Sequence, residues 1–393
     1  MPQKTDNYTG TQILQLATSL NNSLAVRSIA ASSKIIKERI GESFVYAPIG
    51  RELSYFKRWG AKVLSKEVKS RNINNSKAVI KEISNIINEH QINIIHAHDL
   101  NALKISQVLQ KNLDIKILYS RTEDPLEKSI FKILNNVVFG KTLIQYNTIV
   151  PTKLTYNKLL TKYARKGAEI KLVPIPVDFS VYSENKVSQE RTISLTRSWG
   201  MLEKPRFIVL AKPYFHSKQW QDQILELSSI CHKFPENLKP YIVILGDDNH
   251  KKALQDFEKK VYQSQSDILC LMQPVSDLEA ALKISSIYLD LNPNTPYYPL
   301  EILNAQAMGN AVISWKNDIS IEFTPKEFHS LLVEKNNLKL VAENIKQLLA
   351  ISEHQRDFTG RTCRNFVLNN FNMQNMEDLL VDAYSSLSYK QAG

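Results

Sequence analysis

Residues 292–314 read Asn-Pro-Asn-Thr-Pro-Tyr-Tyr-Pro-Leu-Glu-Ile-Leu-Asn-Ala-Gln-Ala-Met-Gly-Asn-Ala-Val-Ile-Ser, and their types and spacing suit a loop and helix that hold a ligand. Just before them, Ile287-Tyr-Leu-Asp-Leu291 is a short apolar run of the kind that forms a buried strand in a parallel sheet. Pro299 suits the first helical position, where its missing N–H leaves nothing unpaired. Leu300, Leu303, Ala307 and Met308 recur at helical spacing, Gly309 suits the stop, and Ala311-Val-Ile-Ser314 opens another strand. A helix start presented by such a sheet carries partial positive charge and free N–H groups. Phosphate or sugar hydroxyls are what it favours.

Other stretches also place polar chemistry at strand ends. Ile92–His96 reads as a buried strand finishing in His96-Ala-His98-Asp99, at the edge where α/β sheets place ligands. A metal site there would need a third ligand, which leaves a binding or structural polar role, or plain surface. Strand Arg206–Ala211 leads into Lys212-Pro-Tyr-Phe-His-Ser-Lys218-Gln-Trp220, a basic loop able to meet an anion. Glu123 and Asp124 precede Pro125 and read as a helix cap. Between Arg51 and Arg71, Lys57, Arg58, Lys62, Lys66, Lys69 and Arg71 interleave with Tyr55, Phe56 and Trp59. That stretch is either a docking patch for an anionic surface or an ordinary helix with its aromatics turned inward.

Segments of strand and helix type alternate around these residues. Residues 11–20 read as a helix with an apolar face at Ile13, Leu16, Ala17 and Leu20, so a first strand is expected to be missing. Phe44–Ala47, Ala61–Leu64, Ile115–Ser120, Thr142–Val150 and Tyr241–Gly246 read as strands, with helices over Asn75–His90, Leu126–Val138 and Leu338–Ser352. Such alternation implies right-handed β-α-β units and parallel sheets. The chain has 393 residues, 43% of them hydrophobic, enough for two domains. No apolar run approaches the ~18 residues of a spanning helix, and the polar start has no signal core. Three scattered cysteines, Cys231, Cys270 and Cys363, fit core positions in a reducing cytoplasm. The net charge of +11 is uneven: residues 1–175 hold 27 Lys and Arg against 13 Asp and Glu, and the remainder holds 23 against 26. A polyanion or an anionic membrane face could use that field, though no nucleic-acid motif is present and no nucleic-acid partner is expected.

Residues 304–314, Asn-Ala-Gln-Ala-Met-Gly-Asn-Ala-Val-Ile-Ser, resemble the donor-binding segment of GT-B glycosyltransferases of family 4, the retaining, lipopolysaccharide- and polysaccharide-type group. The resemblance runs from about Thr9 onward. It includes Tyr241–Asp248, the Val173-Pro-Ile-Pro-Val-Asp178 link and the Ile92–His98 segment. It implies two Rossmann-like parallel-sheet domains facing across a cleft: an acceptor-side domain over residues 1–175 and a nucleotide-sugar domain over 176–370. A terminal helix over 371–393 would cross back to the first domain. The implied reaction transfers a sugar from a nucleotide-sugar donor to a lipid or glycan acceptor with retention, without metal or other cofactor. The implied setting is cytoplasmic, with peripheral contact at the inner membrane face through the basic stretch.

Carried over position by position, the resemblance assigns nucleotide-sugar binding to Lys218, Gly246 and Asn304, with Lys212 and Glu301 as neighbours that substitute for lost groups. Glu301 is the one candidate for a displaced catalytic carboxylate. His96, Asp99 and Arg121 fall on the acceptor side. The departures are also specific. Pro296 and Asn304 stand where the family has its two motif glutamates, Pro213 stands for an arginine, Ser120-Arg121 for His-Gly, and no glycine-rich loop precedes the first helix. A catalytically degenerate GT-B protein acting as a binding or partner subunit is the alternative these departures imply.

Overall fold

Ile13, Leu14, Gln15 and Leu16 are each 0% exposed, so consecutive side chains are covered on both faces. The segment is a strand, β1 (Thr11–Leu16), in the interior of a sheet. This corrects the expected helix over residues 11–20 and the expected missing strand. The helical spacing of Ile13, Leu16, Ala17 and Leu20 is a coincidence within a run buried on both sides. Gln15 disguises that run. Its Nε2 donates to Ile29 O (3.2 Å), Ser33 Oγ (2.6 Å) and Ser43 Oγ (2.9 Å), which offsets the cost of burying an amide.

The computed structural model describes residues 11–20, 23–48, 52–64, 73, 76–122, 145–163, 169–203, 206–246, 251–274, 277–294 and 297–389. The helix expected over Leu126–Val138, and Lys66, Lys69, Arg71 and Pro296, lie outside the described residues. The chain divides into two units, Met1–Pro176 with Met373–Gly393, and Val177–Asn372.

In the first unit, α1 (Ser23–Ile35) follows β1 and runs into one π turn before β2 (Gly41–Tyr46). Then come α2 (Glu52–Arg58), β3 (Lys62–Val63), α3 (Lys77–Glu89), β4 (Ile94–Ala97) and α4 (Leu100–Gln110). After β5 (Lys116–Ser120) the described elements are β6 (Asn147–Val150), α5 (Lys153–Tyr163) and β7 (Ile170–Leu172). The order is β3-β2-β1-β4-β5-β6-β7, all parallel. The C-terminal helix, Met373–Tyr389, closes one face. Met376, Leu380, Ala383, Tyr384 and Leu387 recur at helical spacing and pack with Ile13, Ile94, Leu118 and Ile149. Arg39–Glu377 and Lys171–Asp382 ion pairs hold its polar flank.

The second unit repeats the plan with α6 (Gln189–Ser198), β8 (Ile208–Ala211), α7 (Lys218–Cys231), β9 (Tyr241–Leu245), α8 (Lys251–Ser264) and β10 (Leu269–Met272). It continues through α9 (Leu278–Ile284), β11 (Ile287–Asp290), α10 (Leu300–Ala307), β12 (Ala311–Trp315), α11 (Asp318–Glu322) and β13 (Leu332–Val333). Helices α12 (Leu338–Ala350) and α13 (Glu353–Asn370) follow. The order is β10-β9-β8-β11-β12-β13, again parallel. Trp220 anchors its core at 0% exposure, with ring centroids 5.8 Å from Phe215 and 5.4 Å from Phe257. Burial of a large side chain contributes up to about 3 kcal/mol. Gly309, at φ +85°, ends α10, and an added Cβ there would lie 2.6 Å from Glu184 Oε1.

In each sheet the crossovers leave in opposite directions from two adjacent central strands, β1 and β4 in the first unit and β8 and β11 in the second. The carboxyl ends of those pairs are where ligands bind open α/β sheets. Among the described residues no helix is long and apolar enough to cross a membrane.

Gly41 has an extended φ of 173°, so its role is steric: a Cβ would sit 2.0 Å from Thr11 O on β1. Gly41→Ala is expected to cost about 3 kcal/mol, the upper range for overpacking, by prising β2 from β1. A lowered urea midpoint with an unchanged slope is the readout.

Candidate functional site

Lys212 is the first residue past β8, and its amide donates to Leu289 O of β11 at 2.9 Å, which fixes its backbone at the second unit's switch point. Its Nζ lies 3.0 Å from Glu301 Oε2 and 4.0 Å from Asp290 Oδ2. Glu301 sits in the first turn of α10, and Asp290 is the last residue of β11. Tyr214 closes the group: its ring centroid is 5.3 Å from Lys212 Nζ, and its hydroxyl donates to Asp290 Oδ1 at 2.7 Å. Burial alone would lower the Lys212 pKa, but the charges of Glu301 and Asp290 outweigh it and raise the value. The Asp290 pKa is raised, chiefly by burial, against the pull of Lys212 and Tyr214.

The loop after β11 turns back on side-chain oxygens. Asn292 N donates to Asp290 Oδ1 (3.1 Å) and Asn294 N to Asn292 Oδ1 (2.9 Å), both Asx turns. Pro299 is the N-cap of α10, one place earlier than its expected first helical position, at φ −90° and ψ 66°. Asn304 is 3% exposed, and its Oδ1 is buried with no hydrogen-bond partner among the described residues. Arg364 Nε donates to Ala307 O (3.2 Å) and pairs with Glu184, a cation placed at the negative end of α10.

The remaining donor-side candidates stand apart. Lys218 begins α7, exposed, with no ion pair among the described residues. Gly246 donates its amide to Met272 O at 2.8 Å. An added Cβ would lie 3.0 Å from that oxygen and from Pro274 Cδ, so the glycine serves the close approach of two chain segments. Lys212 and Glu301 are brought together. Asp290 and Tyr214 join them unforeseen, although an aspartate inside the apolar run 287–291 was a readable signal.

The first unit's switch point is built around two fully buried histidines. His96 is 0% exposed, with Nδ1 2.6 Å from Tyr384 Oη of the C-terminal helix and Nε2 2.7 Å from Ser120 Oγ. His98, also 0% exposed, lies against it with ring centroids 4.1 Å apart and planes tilted by 33°, and places Nε2 3.0 Å from Gln15 Oε1. Asp99 uses both oxygens: Oδ2 accepts Thr18 N (2.5 Å), and Oδ1 accepts Thr18 Oγ1 and the α4 amide of Ala102 (both 2.8 Å). Arg121, 7% exposed, donates its amide to Ile149 O at 3.0 Å. Among the described residues no three His, Cys, Asp or Glu side chains converge as metal ligands. In the basic stretch, Lys57 and Arg58 are exposed, Lys62 pairs with Glu42 at 3.0 Å, and Phe56 is 0% exposed.

Burial lowers the His96 pKa to about 3, and burial followed by the His96 charge puts His98 well below its usual value. Both rings are neutral when folded and charge near pH 6.5 when unfolded. Their stabilisation is therefore complete above that pH and drains as pH falls toward 3. His96→Gln is expected to lose roughly 2 kcal/mol less stability than the parent between pH 7 and pH 5, measured by urea unfolding at each pH.

No protein-family model matches the chain, and no curated protein matches it in sequence. Solved structures do match it along its whole length. A glycosyltransferase from Rickettsia africae ESF-5 is similar at a TM-score of 0.80 and 18% identity, over 98% of this chain and 100% of that one. HepE of Anabaena, solved in complex with UDP, is similar at 0.74 and 12% identity, over 96% and 100%. Sucrose-phosphate synthase of Thermosynechococcus elongatus is similar at 0.70 and 12% identity, over 97% and 100%. With its two parallel α/β sheets, the chain has the GT-B fold of these proteins.

Proposed function

We propose that this chain is a glycosyltransferase of the retaining, family 4 type, which moves a sugar from a nucleotide-sugar donor to a lipid or glycan acceptor of the cell envelope. The observation that carries the reading is Lys212. It is a cation held at the switch point of the second unit, in a chain that shares its fold with a UDP-bound protein. In this reading the donor diphosphate takes the place of Glu301 against Lys212, and Lys218 supplies a second cation from the start of α7. Breaking the bond to the sugar leaves charge on the diphosphate, and the held Lys212 ammonium together with that of Lys218 stabilises it without a metal. Glu301, once displaced, and Asn304 offer hydrogen bonds to sugar and ribose hydroxyls. Asp99 and Arg121 serve the acceptor side, with His96 behind them holding Ser120. Lys57 and Arg58 provide a peripheral hold on an anionic membrane face from the cytoplasmic side.

A second reading, a catalytically degenerate GT-B protein that has lost its donor site and acts as a binding or partner subunit, is favoured by Asn304, which occupies a motif-glutamate position and is 3% exposed. Calorimetric titration with UDP, GDP, ADP, CMP and their common sugars separates the two. The transferase reading expects one nucleotide to bind, with Lys212→Ala and Lys218→Ala each weakening it about tenfold, the worth of a charge-assisted contact. Absence of binding across the panel by a folded protein supports the second reading.

A further inference from the structure

Asp290 is a carboxylate that β11 has no need of. It is 3% exposed at the end of Ile287-Tyr-Leu-Asp290, in a strand whose other positions are all buried. Burying a charge costs free energy, and an apolar residue of similar volume in such a place is often neutral or stabilising. Sheet stability therefore does not account for it. Its contacts do. Oδ1 accepts the Tyr214 hydroxyl at 2.7 Å and Asn292 N at 3.1 Å, while Oδ2 faces Lys212 Nζ at 4.0 Å.

We propose that Asp290, acting with Tyr214, is a positioning residue that holds the Lys212 ammonium in place for a nucleoside diphosphate. The proposal rests on the donor-binding reading and deepens it. Three contacts form a closed figure: Lys212 over the Tyr214 ring, the Tyr214 hydroxyl on Asp290, and Asp290 facing Lys212. The two carboxylates near Lys212 differ in exposure. The Glu301 side chain is 42% exposed and can turn to water, whereas the Asp290 side chain is 3% exposed and cannot. Glu301 is thus the exchangeable counter-ion, standing where the diphosphate arrives, and Asp290 is the permanent one. Lys212 stays oriented and charged when Glu301 leaves. The titratable groups facing Asp290 are Lys212, Tyr214, Glu301 and Tyr288.

Asp290→Asn keeps the shape and leaves an oxygen for Tyr214 and Asn292, so it tests the charge with the fold retained. Tyr214→Phe removes the hydroxyl and keeps the ring. UDP affinity is measured by calorimetry for each variant, alone and in a Lys212→Gln background. In parallel, the Lys212 ammonium is titrated by NMR after reductive 13C-methylation. Asp290→Asn is expected to weaken UDP about tenfold with Lys212 present and to have no effect with Lys212→Gln, the non-additivity of a residue that acts through another. Tyr214→Phe moves affinity the same way by about threefold. The Lys212 pKa falls in Asp290→Asn. Tighter binding in Asp290→Asn, equal losses in both backgrounds, or an unmoved Lys212 titration each overturns the proposal. If the parent protein binds no nucleotide, the donor reading fails. The Lys212 titration then still decides whether Asp290 governs that ammonium.

Discussion

A parallel sheet covered on both faces is open to a ligand where two adjacent strands send their crossovers in opposite directions. The backbone ends there cannot be sealed by the sheet's own hydrogen bonds, so side chains must close the gap. Both units of this protein meet that constraint with polar groups. In the first, Thr18 and Asp99 join the ends of β1 and β4, and Gln15 and His98 extend the network inward. In the second, Lys212 and Asp290 stand at the ends of β8 and β11, with Glu301 and Tyr214 around them.

The histidines of the first unit and the lysine of the second differ in charge, and that separates what each can do. His96 and His98 are buried so completely that they stay neutral, and their hydrogen bonds run to Tyr384, Ser120 and Gln15. Such a network orders loops without attracting an ion. Lys212 keeps its charge because two carboxylates more than offset its desolvation. A retained ammonium beside a half-exposed glutamate can trade that glutamate for an incoming anion. The second unit therefore carries the electrostatics of the protein's proposed chemistry.

Helices stabilise these ends from behind. The C-terminal helix brings Tyr384 onto His96 while packing Leu380 and Leu387 against the first sheet, so one apolar face both builds the core and orients an imidazole. Arg364 and Glu184 crowd Gly309 and fix the far end of α10, whose near end presents Glu301. A short helix so held at its carboxyl end cannot drift, and the position of its first turn follows.

The alternation of strands and helices was legible in the sequence because it depends on periods of two and 3.6 residues, which are local. The chemistry of the second unit was partly legible for the same reason: Lys212 follows an apolar strand, and Glu301 lies just inside a helix. What the sequence could not settle was burial. Gln15 breaks the look of a strand, and Ile29, Ser33, Ser43 and His98, distant in sequence, make it a core residue. Asp290 falls inside an apolar run and Tyr214 inside a basic loop, and nothing local shows that their side chains meet. Lys212 and Glu301 are 89 residues apart, and parallel pairing of β8 with β11 sets the distance between them. Local sequence determined which segments were strands and which groups were ionisable. Tertiary structure decided which strand ends became neighbours, and so which charges share one desolvated site, because strand order is set by non-local pairing that no local period encodes.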